Sequence, residues 1–170
     1  MAETEESLTL VPTPPRNHDH SVCIETALSR AADLCARRDA RLTQSRRQIL
    51  ELVWDRHEPV TAYDLVETLR GITGKRVDPP TIYRALDFLI DQGLVHRIEG
   101  LNAFVGCSMP EARHAGQFLI CGQCGTIREL DEPEIARAVT ARAQALGFAI
   151  ERQTIEVYGR CVDCQRETAA

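Results

Sequence analysis

From Ser21 to about residue 92 apolar side chains recur every third or fourth position; further on, the rhythm changes. From Ser21, the series Ile24, Ala27, Leu28, Ala31, Leu34 and Cys35 marks one face of a helix that Ser21 can cap. Cys35 sits on that stripe and reads as a core residue. A second helix is predicted in RLTQSRRQILELVW, with Thr43 as N-cap and Ile49, Leu50, Val53 and Trp54 on its apolar side. In EPVTAYDLVETLRG, Thr61 caps a third, Ala62, Leu65, Val66 and Leu69 face inward, and Gly71 is expected to end it. A fourth lies in DPPTIYRALDFLIDQGL. Pro79 and Pro80 suit its first turn, where no intrahelical donor is needed, and Gly93 stops it. LVHRIEGLNAFVGC then reads as two short strands around an EGLN turn.

Three short helices closing on a hairpin make the pattern of a winged helix. With the leading helix included, this predicts a winged-helix unit over residues 21–107. The phase of its last helix is specific. If Ile82, Leu86 and Leu89 point inward, then Tyr83, Arg84 and Asp87 point out. An exposed Tyr–Arg pair near a helix N-terminus suits a recognition helix, since Arg can fork onto guanine or a phosphate and Tyr can pack on sugar or a thymine methyl. The same pair also fits an ordinary solvated helix face.

Beyond Cys107 the pattern changes. SMPEARHAG carries the domain boundary, with a linker placed at 108–115. GQFLICGQCGTIREL reads as strand, knuckle, strand, and EPEIARAVTARAQALG as an Ala-rich helix ended by Gly147. FAIERQTIEVYG is β-like but its alternation slips, which a bulge or short turn near Gln153 would explain. The expected class is α+β, a winged helix followed by a small α/β domain over 116–170. Residues 1–20, acidic and Pro-rich, carry no periodicity and read as a disordered tail, its His18 and His20 included.

Composition narrows the possibilities. A hydrophobic fraction of 44% is enough for a core, and no run of eighteen apolar residues offers a membrane span. The start of the chain lacks the basic and apolar blocks of a signal peptide, so a cytoplasmic location is expected. The net charge of −5 does not advertise nucleic acid, although residues 37–99 carry eleven basic against ten acidic side chains and are the least acidic third.

The seven cysteines are the chemically informative residues. Cys121 and Cys124, with Cys161 and Cys164, form CxxC…CxxC. Each CxxC can present two thiolates from one tight knuckle, and two knuckles close a tetrahedron around zinc. Such a site is closed to substrate and structural. The competing reading is a redox pair, which needs one CxxC opening a helix after a strand. Further potential ligands lie where the two halves of the chain meet: His96, Cys107, His114 and Glu129. Singly, each reads equally as a surface His, a core Cys or a solvated Glu. Together they would make a formally neutral zinc site, weaker and more exchangeable than the four-sulfur clamp. Metal there would fix the angle between a DNA-reading unit and the C-terminal unit, which is how a sensor works.

The segments RLTQSRRQILEL, AYDLVETLR, PPTIYRALDFLIDQGLVHRIE, CGQCGTIRE and YGRCVDC resemble the ferric uptake regulator family, and within it the zinc uptake regulators. They run from about Cys35 to Cys164, and the PPTIYRALDFLIDQGLVH block is the most specific. The resemblance implies a cytoplasmic, homodimeric, zinc-responsive repressor of zinc-uptake genes whose zinc-bound form binds a palindromic, AT-rich double-stranded operator. Residues 116–170 then become the dimerisation domain. It further implies two zinc ions per chain, one structural on Cys121, Cys124, Cys161 and Cys164, and one regulatory on His96, Cys107, His114 and Glu129. Arg41, Tyr83 and Arg84 match DNA-contacting positions. Neither a membrane nor a small-molecule substrate other than metal is implied. Cys107 favours zinc, since a thiolate suits zinc better than it suits iron or manganese. An iron- or peroxide-responsive member is the alternative. An enzyme is not expected, because a catalytic zinc needs an open coordination position and a positioned base.

Overall fold

The computed structural model describes residues 20–55, 58–111 and 115–168. Four helices come first: α1 (His20–Arg37), α2 (Gln44–Trp54), α3 (Ala62–Thr73) and α4 (Pro79–Asp91). Ser21 lies inside α1 rather than capping it, since the helix begins one residue earlier. The stripe read from the sequence is the core: Leu28, Ala31, Leu34 and Cys35 of α1 pack with Ile49, Leu50 and Val53 of α2, Leu65 and Leu69 of α3, and Ile82, Leu86 and Leu89 of α4. Thr43 caps α2 by accepting from the Arg46 N–H. Thr61 and Asp64 form a reciprocal capping box on α3.

Gly71 does not end α3. The helix runs through it and stops at Gly74, whose φ of +64° is the left-handed conformation that glycine adopts without a steric penalty. Gly71 was the nearer candidate in the sequence, but an exposed helical turn tolerates a glycine without breaking. Gly93, at φ +69°, follows α4 as expected.

The wing comprises β2 (Val95–Ile98), a 3₁₀ turn (Glu99–Leu101) and β3 (Ala103–Gly106). A two-residue strand, β1 (Val60–Thr61), pairs with β3 and completes a three-stranded sheet, β1-β3-β2. It is too short for its alternation to show in the sequence. The second sheet consists of β4 (Gly116–Cys121), β5 (Ile127–Glu129) and β6 (Thr154–Gly159), in the order β5-β4-β6. β4 is antiparallel to β5 and parallel to β6, and α5 (Pro133–Ala145) makes the crossover.

Only the second half of FAIERQTIEVYG is a strand. Residues 148–153 are irregular, so a loop rather than a bulge accounts for the slipped alternation. RCVDCQRET is also not a plain knuckle, because α6 (Val162–Thr168) begins between its two cysteines.

The hairpin lies between the two halves. Strand alternation puts Val95 and Phe104 on the face that packs on the helices, and Ile98 and Val105 on the opposite face. That opposite face meets Phe118, Ile120 and Ile127 of the second sheet in a small separate core. The sheet's other face carries Leu119 and Val157, which are 40% and 49% exposed, and α5 buries none of its residues.

Candidate metal centres and the exposed helix

Parallel pairing of β4 with β6 assembles the first centre. It sets Cys121 opposite Gly159, so each CxxC leaves its strand at the same edge of the sheet. The Gly122 N–H donates to the Gly159 carbonyl at 3.0 Å and extends the ladder one step. Gly125, at φ +73°, turns the first knuckle back. The sulfurs of Cys121, Cys124, Cys161 and Cys164 all lie within 4.8 Å of one another. Cys124 and Cys161 sulfurs are 3.6 Å apart, too far for a disulfide. A zinc–sulfur bond of about 2.3 Å in a tetrahedron gives an edge of about 3.8 Å, so the cluster fits zinc.

The second CxxC does follow a strand and open a helix, the context in which a redox pair is expected. Convergence of all four sulfurs is what a metal clamp requires and a two-cysteine redox pair does not. The thiols are unequal. Backbone N–H groups of Cys124, Cys161 and Gln123 around Cys121 pull it down to about 6, and the Cys161 N–H approaches its sulfur at 3.3 Å. Thr126 lowers Cys124, with its hydroxyl 3.2 Å from that sulfur. Burial, and then the neighbouring sulfurs, push Cys164 up. A dication replaces these thiol protons with bonds.

The second centre follows from strand parity. His96 shares the sheet-facing side of the hairpin with Ile98 and Val105. Glu129 is the cross-strand partner of Phe118, so it shares the face turned toward the hairpin. His96 Nε2 lies 2.9 Å from Glu129 Oε1, and the imidazole meets the Phe118 ring edge-on at 5.3 Å. A methyl group on Gly116 would crowd both that ring and His96 Nδ1, at 2.9 and 3.2 Å, so glycine there leaves room for the imidazole. Cys107 is buried just past β3, held by its N–H to the Leu94 carbonyl at 3.0 Å. Ser108 donates its N–H to Glu129 Oε2 at 3.2 Å. Ligand atoms of His96, Cys107 and Glu129 lie within 4.8 Å of one another.

Burial disfavours a charged His96, but Cys107 and Glu129 outweigh it and raise the imidazole to about 9. A buried nitrogen, sulfur and carboxylate oxygen aimed at one point suit a borderline cation such as zinc. The fourth expected ligand, His114, lies outside the described residues, as does the tail up to residue 19.

The exposed helix has the expected phase. On α4, Ile82, Ala85, Leu86 and Leu89 are buried, Tyr83 is 49% exposed, and Arg84 and Asp87 are exposed. Arg41 is exposed just before α2, and its carbonyl accepts from the Arg46 guanidinium at 2.6 Å. Arg46 also stacks 3.6 Å over the Phe88 ring, which ties the start of α2 to α4. Sequence reasoning missed Phe118, Ser108 and Thr126. Only the register of β4 against its neighbours reveals the first, and the other two contact the site through atoms that no motif marks.

The chain is similar in sequence and fold to known proteins. The family model described as the ferric uptake regulator family matches residues 37–158. The zinc uptake regulation protein of Escherichia coli K12 is 36% identical over 138 residues, covering 81% of this chain and 80% of that protein. The zinc uptake regulation protein of Mycobacterium tuberculosis H37Rv is 30% identical over 128 residues, covering 74% and 95%. A zinc uptake regulator solved in complex with zinc and DNA superposes with a TM-score of 0.81 at 34% identity, covering 86% of this chain and 98% of that one. Holo XcZur superposes at 0.76 with 40% identity, covering 87% and 99%.

Proposed function

Because the chain belongs to the ferric uptake regulator family, we propose that it is a zinc-responsive transcriptional repressor, most like the zinc uptake regulators. One observation carries this reading. His96 from the wing, Cys107 from the wing's end and Glu129 from the second sheet bring their ligand atoms within 4.8 Å. His114, outside the described residues, is the fourth ligand this reading assigns. Zinc held there joins the DNA-reading unit (residues 21–107) to the C-terminal unit (116–170) across the linker at 108–115. Metal thereby favours one relative placement of the two by its differential affinity for it. Cys107 is the residue that selects zinc over iron or manganese. Cys121, Cys124, Cys161 and Cys164 hold a second, structural zinc, giving two per chain. Zinc supplies Lewis-acid bonding to these side chains and no chemistry on a substrate. Members of the family are transcription regulators, not enzymes.

The DNA-facing groups are Tyr83 and Arg84 on α4, with Arg41 flanking α2. A related regulator has been solved with both zinc and DNA, which supports a double-stranded operator as the partner. Apolar Leu119 and Val157 on the outer face of the second sheet, and Ile135 and Val139 on α5, are 39–49% exposed. A second copy covers such a surface, and a two-fold dimer matches a palindromic, AT-rich site near zinc-uptake genes. No helix among the described residues is long and apolar enough to cross a membrane, and action on DNA places the protein in the cytoplasm.

The test is a zinc titration that follows metal stoichiometry and binding to a palindromic duplex together. Two zinc ions per chain are expected, with only the weaker one controlling DNA affinity. Zinc-independent binding would overturn the reading. Tighter functional activation by Fe²⁺ than by Zn²⁺ would move the protein to the iron-responsive branch.

A further inference from the structure

Three residues in one row of the second sheet face the wing. Phe118 is central, paired with Glu129 on one side and Glu156 on the other. At a strand spacing of about 4.8 Å, the two carboxylate-bearing positions stand roughly 10 Å apart. From His96 in β2 to Glu99, the first residue of the turn, the chain advances three residues, also about 10 Å. The wing strand therefore crosses the sheet from one carboxylate to the other.

Glu129 meets His96 at the base of the wing. Glu156 meets its tip. The Glu99 N–H donates to Glu156 Oε1 at 2.6 Å, and the Gly100 N–H donates to Oε2 at 3.1 Å. The Tyr158 hydroxyl donates to Oε2 at 2.9 Å. The Glu99 carboxylate accepts from Arg152 at 3.1 Å and from Arg97 at 3.1 Å. A methyl group on Gly100 would overlap the Tyr158 hydroxyl and come within 2.9 Å of Glu156 Oε2. The turn thus rests on the Glu156 and Tyr158 side chains of β6, which an added methyl group would have to displace.

We infer that Glu156 is a positioning residue for DNA binding, clamping the wing tip to the second sheet so that zinc at the wing base fixes the winged helix at two points. This rests on the proposed function. The small core of Ile98 and Val105 against Phe118, Ile120 and Ile127 is non-directional packing that permits sliding, whereas directed bonds at opposite edges of the sheet oppose swing of the wing. The two N–H bonds to a carboxylate are charge-assisted and carry the clamp. The Arg152–Glu99 pair, with both side chains about half exposed or more, adds little. Neither Glu156 nor Gly100 is a metal ligand, so clamp and metal separate by mutation.

The experiment uses the full-length protein and the variants Glu156→Ala and Gly100→Ala. The second removes no polar group and acts as a wedge. Zinc stoichiometry, dimer mass and duplex affinity are measured with the regulatory zinc present and after a chelator too weak to strip the four-cysteine site. Zinc-loaded affinity for DNA should fall about tenfold in both variants, while metal-free affinity changes by less than about twofold and two zinc ions per chain remain. By linkage, DNA should then tighten zinc binding less than it does in the unmodified protein. Unchanged zinc-loaded affinity, or equal losses in both metal states, overturns the inference. If Glu156→Ala does not fold, Glu156→Gln, which keeps the shape and removes the charge, takes its place beside Gly100→Ala and is read in the same way. If the unmodified protein shows no zinc dependence, the functional reading fails. The clamp is then judged by hydrogen exchange at the Glu99 and Gly100 amides, where protection unaltered by Glu156→Ala overturns it.

Discussion

His96 is one histidine among five, and nothing in its immediate sequence distinguishes it. Its role comes from the company it keeps: Glu129 at 2.9 Å, Cys107 within 4.8 Å and the edge of Phe118. The imidazole, raised to about 9 from an ordinary 6.5, carries a proton that zinc must displace. Zinc affinity at this site should therefore rise with pH toward about 9, with proton release, which chelator competition across a pH series measures. A flat profile would place the metal elsewhere. For the metal-free protein the sign is opposite. The folded-state pKa is raised, so the stabilisation from this group is full below pH 6.5 and is lost as pH climbs through about 9. Cys107→Ser should abolish zinc-dependent DNA binding while thermal unfolding of the structural-zinc form stays cooperative. Unchanged zinc dependence would sink the sensing assignment. At this scale the convergence of the four cysteines was legible, because doubled CxxC spacing is rare without metal. His96, Cys107 and Glu129 were not legible one by one, because scattered single ligands look like ordinary surface and core residues.

Helix phase was the most legible feature of the elements. Every apolar position assigned to the interior of α2, α3 and α4 is at least half-buried. Helix ends were less so, as the two glycines of α3 show. Gly71 lies within the helix with open space around its Cα, so Gly71→Ala should stabilise by about 0.5–1 kcal/mol. Gly74 holds φ +64°, so Gly74→Ala should destabilise by about 1–2 kcal/mol. Chemical denaturation of the two variants should give opposite signs, and like signs would contradict the observed helix end. On α4, Arg84→Ala should cost about 1–3 kcal/mol of discrimination between operator and random duplex if Arg84 forks onto a base. An equal loss on both duplexes would make it a phosphate anchor. α6 escaped the sequence reading because seven residues give less than two full turns of periodicity, and its first turn carries Cys164 of the second CxxC.

For the whole molecule, the exposed apolar surface and the zinc clamp make linked predictions. Val157→Asp puts a charge on the outer face of the second sheet and should convert a dimer to a monomer in sedimentation, with loss of palindrome binding. A dimer of unchanged affinity would place the interface elsewhere. A strong chelator that empties the four-cysteine site should unfold the C-terminal unit, since structural zinc contributes on the order of 10 kcal/mol to such small folds. By itself the sequence determined the first five helices, the buried faces of α1 to α4, the hairpin, the paired cysteines and the family, because periodicity, capping and CxxC spacing are local and act over a few residues. Only the tertiary structure decided which side of the wing meets the second sheet, and hence that His96, Cys107 and Glu129 converge and Glu156 holds the wing tip. Alternation assigns residues to two faces of a strand but not to a neighbour. Choosing the neighbour takes packing between segments tens of residues apart, here Ile98 and Val105 against Phe118, Ile120 and Ile127.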